Sequence, residues 1–138
     1  MGFYVVQFLT GLANAAALFL VASGLSIIFG VTRIVNFAHG SFYMLGAYIG
    51  YTMINAIGGS FAGFWVAILL SALAGGLVGV VVEMTILRRV YQAPELFQLI
   101  ATFGVILVIQ DLSLLTWGSE DLLGPRAPLL KGAVDIGG

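Results

Sequence analysis

Four runs of apolar residues, separated by short polar or glycine-rich breaks, make up most of this chain. A bilayer core about 30 Å thick is crossed by roughly 20 residues of helix at a rise of about 1.5 Å each. Runs of that order lie at residues 5–29, 40–57, 61–87 and 96–115. The first is interrupted only by Gln7, Asn14 and small residues and stops before Arg33; the second is brief. The third follows the turn signal Gly58-Gly59-Ser60 and ends at Arg88-Arg89. The fourth opens two residues after Pro94, which favours a helix start, and Trp117 stands beyond it where an interfacial aromatic belongs. The pattern predicts an all-α fold: a polytopic membrane helix bundle over residues 1–117 with about four transmembrane helices. From Gly118 the chain turns polar, and residues 118–138 read as an aqueous loop with Val134-Asp135-Ile136 as a short strand. The chain stops on the turn signal Gly137-Gly138, so a truncated polypeptide is expected.

Composition names the solvent. Hydrophobic residues are 61% and charged residues 8% of the chain, against about 45–50% and 25% in soluble domains, and the mean hydropathy is +1.13. Too few polar residues remain to give each helix a solvated face, so the surroundings are lipid. Five Lys plus Arg and a net charge of −1 provide no basic patch for phosphates, which argues against nucleic acid as a partner. The absence of cysteine excludes disulfides, cysteine-ligated metals and cysteine nucleophiles. No positive n-region precedes the first run, which is also too long for a signal-peptide core, so it reads as a retained span. Val6 stands where a myristoylation signal needs Ser or Thr. Arg33 falls between the first two runs, and Arg88 and Arg89 between the last two. The positive-inside rule places these arginines in the cytoplasm as interface anchors, and the 58–60 turn and the 118–138 loop outside.

Gly46-x-x-x-Gly50, Gly59-x-x-x-Gly63 and Gly75-x-x-x-Gly79 offer small faces for close helix packing, although some such spacings arise by chance among 19 glycines. More chemistry lies in the polar break, where Gly30 and Gly40 bracket a stretch able to interrupt a helix. Polar groups at membrane depth need protein or cavity water as partners, so Asn36 and His39 either cap helix ends or line a path. On spacing alone a plain interfacial loop stays open. His39 is the only histidine and cannot build a His-rich metal site. No Gly-x-x-x-x-Gly-Lys-Ser/Thr run exists to hold ATP phosphates, and one candidate base makes no acyl-transfer constellation. Neither an enzyme nor a cofactor held by this chain is expected. Glu83 precedes Arg88 and Arg89 at poor spacing for a helical ion pair, which puts its expected partner on another span.

The runs Gly24-Leu25-Ser26-Ile27-Ile28-Phe29-Gly30, Ile34-Val35-Asn36-Phe37-Ala38-His39-Gly40 and Tyr43-Met44-Leu45-Gly46-Ala47-Tyr48 resemble the signature of branched-chain amino acid ABC transporter permeases. Arg88-Arg89-Val90-Tyr91, the span at 99–110 and Thr116-Trp117-Gly118-Ser119 fit the same pattern, so the likeness covers nearly the whole chain. The resemblance implies the N-terminal half of a larger permease fold in the cell inner membrane. It also implies a sister permease subunit, cytoplasmic ABC ATPase subunits that bind the ATP, and an extracytoplasmic amino-acid-binding protein. The chain departs from the family in length, because such permeases continue through more spans and a segment that docks on the ATPase. On this reading Asn36, Phe37, Ala38, His39, Gly40 and Ser41 are candidates to line the translocation pathway. The positive end of the second helix at Gly40-Ser41 would lie beside a substrate carboxylate. A small oligomeric channel and a membrane scaffold or assembly protein are the alternatives that four glycine-rich spans also allow.

Overall fold

The computed structural model describes residues 2–124 and 128. The described residues form helices and connections without strands: α1 (Gly2–Thr32), α2 (His39–Ile57), α3 (Phe61–Val82), a π-helical turn (Glu83–Leu87), α4 (Arg88–Val90) and α5 (Glu95–Trp117). The strand expected at 134–136 lies outside the described residues, as does most of the loop after residue 124.

Among the described residues, three rods are long and apolar enough to cross a membrane: Gly2–Thr32, Phe61–Val90, which joins α3, the π turn and α4, and Glu95–Trp117. The expected second span exists as α2, with 19 residues, but lacks the hydropathy of the others. Its His39, Ser41, Tyr43, Tyr48, Tyr51, Thr52 and Asn55 explain the deficit. They are tolerated because α2 is the hub of the bundle, in close contact with α1, α3 and α5, so much of its surface meets protein. The buried Ser113 Oγ on α5 lacks a hydrogen-bond partner among the described residues, but several other helix hydroxyls are satisfied locally. Those of Ser26, Thr52 and Thr85 donate to the carbonyl four residues back at 2.7–3.0 Å.

Small residues set the α2–α3 approach. A Cβ added at Gly75 would lie 3.9 Å from the Gly46 Cα, and one at Gly50 would lie 3.6 Å from the Ser71 Oγ. Nothing lies within 4 Å of a Cβ built on Gly79, which takes no part in this contact among the described residues. Gly63 serves the turn instead of another helix. A Cβ there would collide with the Ile57 carbonyl, and its N–H donates to the Ser60 Oγ at 3.0 Å, capping α3. At the far end of α5, Trp117 Nε1 donates to the Thr52 Oγ1 at 2.7 Å, and its ring stacks on Tyr48 with centroids 5.2 Å apart.

The core is small: Ala38, Val105 and Ile109 are buried, with Phe42, Leu45 and Val82 packed against them. α1 buries no residue and meets only α2 in close approach among the described elements. Its 31 residues span about 46 Å, more than the bilayer core requires.

Candidate functional site

Helix α1 runs through Gly30 and is stopped by Arg33, so the expected glycine bracket is not what breaks it. Arg33 takes the left-handed conformation (φ 55°), with its N–H donating to the Phe29 carbonyl at 2.8 Å. The Thr32 hydroxyl donates to the Ile28 carbonyl at 2.8 Å and accepts from the Ile34 N–H at 3.3 Å. Asn36 then rebuilds the helix. Its Oδ1 accepts from the Ala38 N–H at 3.0 Å and its carbonyl from the His39 N–H at 3.2 Å. The side chain and the carbonyl of Asn36, three residues ahead of α2, thereby each occupy one backbone donor that a helix start leaves open.

The connection does not stay at the level where α1 ends. His39 packs against α1 at Gly24, where an added Cβ would come within 3.0 Å of the imidazole Nε2. Gly24 lies eight residues before Thr32, about 12 Å back along the helix. Ala38 is fully buried and packs with Val105 and Ile109. Val105 lies ten residues into α5, about 15 Å along a rod of about 35 Å. Residues 33–38 therefore turn back into the bundle, and α2 begins near the middle of α5.

The six residues expected along a pathway separate. Asn36 enters a cavity of about 260 Å³ with Thr32, Glu83 and Tyr91, whose apolar wall is Ile28, Ile34 and Leu87. Phe37 stacks on Phe103 with ring centroids 5.9 Å apart and borders a groove shared with Arg33, Glu95 and Gln98. Ala38 fills the core, and Ser41 is buried on α2. His39 faces a cleft of about 660 Å³ between α1, α2 and α3, which Gly46, Ser71 and Gly75 also border. Gly40 is exposed. The arginines Arg33, Arg88 and Arg89 are exposed at the end of the bundle where α1 and α4 stop.

Glu83 joins this site although sequence spacing assigned it elsewhere. Glu83 lines the cavity with Tyr91, one residue past the Phe61–Val90 rod, and with Thr32 and Asn36 from the α1 end and the break. In a regular α-helix two residues eight apart are offset by about 80°. The π turn Glu83–Leu87 absorbs one extra residue and brings them onto one face. Burial, then the hydrogen bond to Glu83, then its negative charge push the Tyr91 phenol up to about 12, so it remains an O–H donor to that carboxylate. A lone acid inside an apolar run was the available signal; the π turn has no sequence signature.

The family model described as branched-chain amino acid transport system / permease component matches residues 7–126. The chain is 30% identical over 132 residues to the high-affinity branched-chain amino acid transport system permease protein LivH of Escherichia coli K12, covering 89% of this chain and 42% of that protein. It is 28% identical over 132 residues to LivH of Salmonella typhimurium, with the same coverage. With BraD of Pseudomonas aeruginosa, a protein of the same description, it shares 27% over 134 residues, covering 94% of this chain and 43% of BraD. The chain thus spans less than half the length of the curated relatives it matches. No solved structure matches it.

Proposed function

This chain belongs to the family of branched-chain amino acid transport system permease components, and from that premise we propose that it is a transmembrane subunit of an ATP-driven importer of branched-chain amino acids. It forms part of the translocation pathway in the cell inner membrane. The observation that supports this most is the helix break held inside the bundle by Asn36. A zwitterion with an aliphatic side chain needs apolar walls and a few polar groups, and an interrupted helix supplies both at membrane depth. The start of α2 carries partial positive charge suited to the substrate carboxylate.

ATP is bound by cytoplasmic ATPase subunits, substrate arrives on an extracytoplasmic binding protein, and a sister permease completes the pathway. Arg33, Arg88 and Arg89 mark the cytoplasmic end under the positive-inside rule. In the transporter assembled around this chain, Asn36→Ala should lower ATP-dependent uptake of radiolabelled leucine about tenfold at unchanged membrane abundance, as expected for loss of the side-chain bond that sets the start of α2. Passive leucine flux without nucleotide would identify a channel instead, and equal loss of uptake and abundance would make the break purely structural.

A further inference from the structure

We infer that Glu83 and Tyr91, together with Asn36, form a recognition site for a primary ammonium group, and that this site takes the amino end of the substrate. The second half of that statement rests on the transport reading; the first rests on the site alone.

Glu83 lies within the 30-residue apolar rod Phe61–Val90, next to Val82, which packs against the buried Ala38–Val105–Ile109 core. Glu83 is partly buried, and it lines the Asn36 cavity. A carboxylate can accept about four hydrogen bonds, and the Tyr91 phenol, in the same cavity, is the neighbouring donor. Among the described residues, none that lines the cavity is basic: the remaining polar groups are the Thr32 hydroxyl and the Asn36 amide. A charge withdrawn from water is costly without an opposite charge or full hydrogen bonding. The cavity thus lacks a cation, and a ligand can bring one.

The remaining chemistry narrows which cation fits. The Asn36 Oδ1 is held by the Ala38 N–H, which fixes the amide at the cavity edge. Glu83 and Asn36 accept from an N–H donor, and Tyr91 stays protonated to hold the Glu83 carboxylate in place. Ile28, Ile34 and Leu87 form an apolar wall that suits a short aliphatic branch. The volume of about 260 Å³ is below the usual range of roughly 300–1,000 Å³ for ligand sites. That size suits a single aliphatic amine head and excludes a peptide. The π turn, a feature frequent at functional sites, is what aligns Glu83 with Tyr91.

A protection experiment on the full chain in phosphatidylglycerol vesicles, whose headgroups carry no amine, tests the site without transport. Dicyclohexylcarbodiimide modifies carboxylic acids in apolar surroundings, and peptide mass spectrometry reads the adduct at Glu83; Glu83→Gln gives the blank. Leucine or isoamylamine at about ten times its dissociation constant should slow modification about tenfold, as occupancy of a single site requires. The deaminated analogue 4-methylpentanoate should leave the rate unchanged. Tyr91→Phe should weaken protection by either amine while Glu83 remains modifiable, which a merely structural tyrosine would not do. Equal protection by all three compounds, or by none, overturns the proposal. Protection by phosphatidylethanolamine vesicles without added amine would support the ammonium site and overturn its assignment to the substrate in favour of a lipid headgroup. ATP and partner subunits are not needed, so failure here and failure of leucine uptake are separate results.

Discussion

At the residue scale, one side chain in an unfavourable backbone conformation ends α1. The left-handed region is populated readily by glycine and at a cost by most other residues, and Arg33 occupies it at φ 55°. Helix ends commonly use glycine at such a position, so the sequence pointed to Gly30, three residues early. Nothing local distinguishes Arg33; the conformation follows from the need to turn the chain back into the bundle. Asn36, in contrast, was legible, because a short polar side chain just before an apolar run is a capping signal. Arg33→Gly should raise the stability of the detergent-solubilised chain by up to about 1 kcal/mol, and Arg33→Val should lower it by about 1–3 kcal/mol, since a β-branched side chain tolerates this region poorly. Thermal unfolding of the two variants against the parent reads the difference. A stabilising Arg33→Val would show that Arg33 does not hold that conformation.

At the element scale, the chain differs most from its hydropathy profile at α2. Its length was legible from the apolar run and its polarity was visible, but that this polarity reflects a central position depends on contacts with three other helices. Of the glycine faces, Gly46, Gly50 and Gly75 lie where α2 meets α3, Gly63 serves a turn, and Gly79 faces open space. Spacing alone carries no information on which face of a helix has a neighbour. Ala38 is the tightest point of α2's attachment, with no exposed surface beside Val105 and Ile109. Ala38→Leu should therefore destabilise the bundle by about 1–3 kcal/mol through overpacking. Ala72→Leu, at an exposed position bordering the α1–α3 cleft, should stay within about 0.5 kcal/mol of the parent. Equal melting temperatures for the two variants would mean that α2 does not start against α5.

At the scale of the whole molecule, four membrane helices were readable from run length and composition, because lipid demands uninterrupted apolar helices. That α2 falls short of the other three in hydropathy was not part of that reading. The meeting of Asn36 with Glu83 was not readable, because it needs both the inward turn of 33–38 and the extra residue of the π turn. Each is a small local departure with a consequence across three helices. The central claim, that the break between α1 and α2 is held inside the membrane and lines a water-accessible path, can be measured by depth. The chain has no cysteine, so nitroxide labels can be placed singly at positions 24, 32, 36 and 39 in bilayers and their depths read by power saturation. The label at 39 should match the depth of that at 24 and lie about 12 Å deeper than that at 32, and the label at 36 should be reached by a water-soluble relaxant. A label at 39 as shallow as that at 32 would place the break at the interface and contradict the pathway.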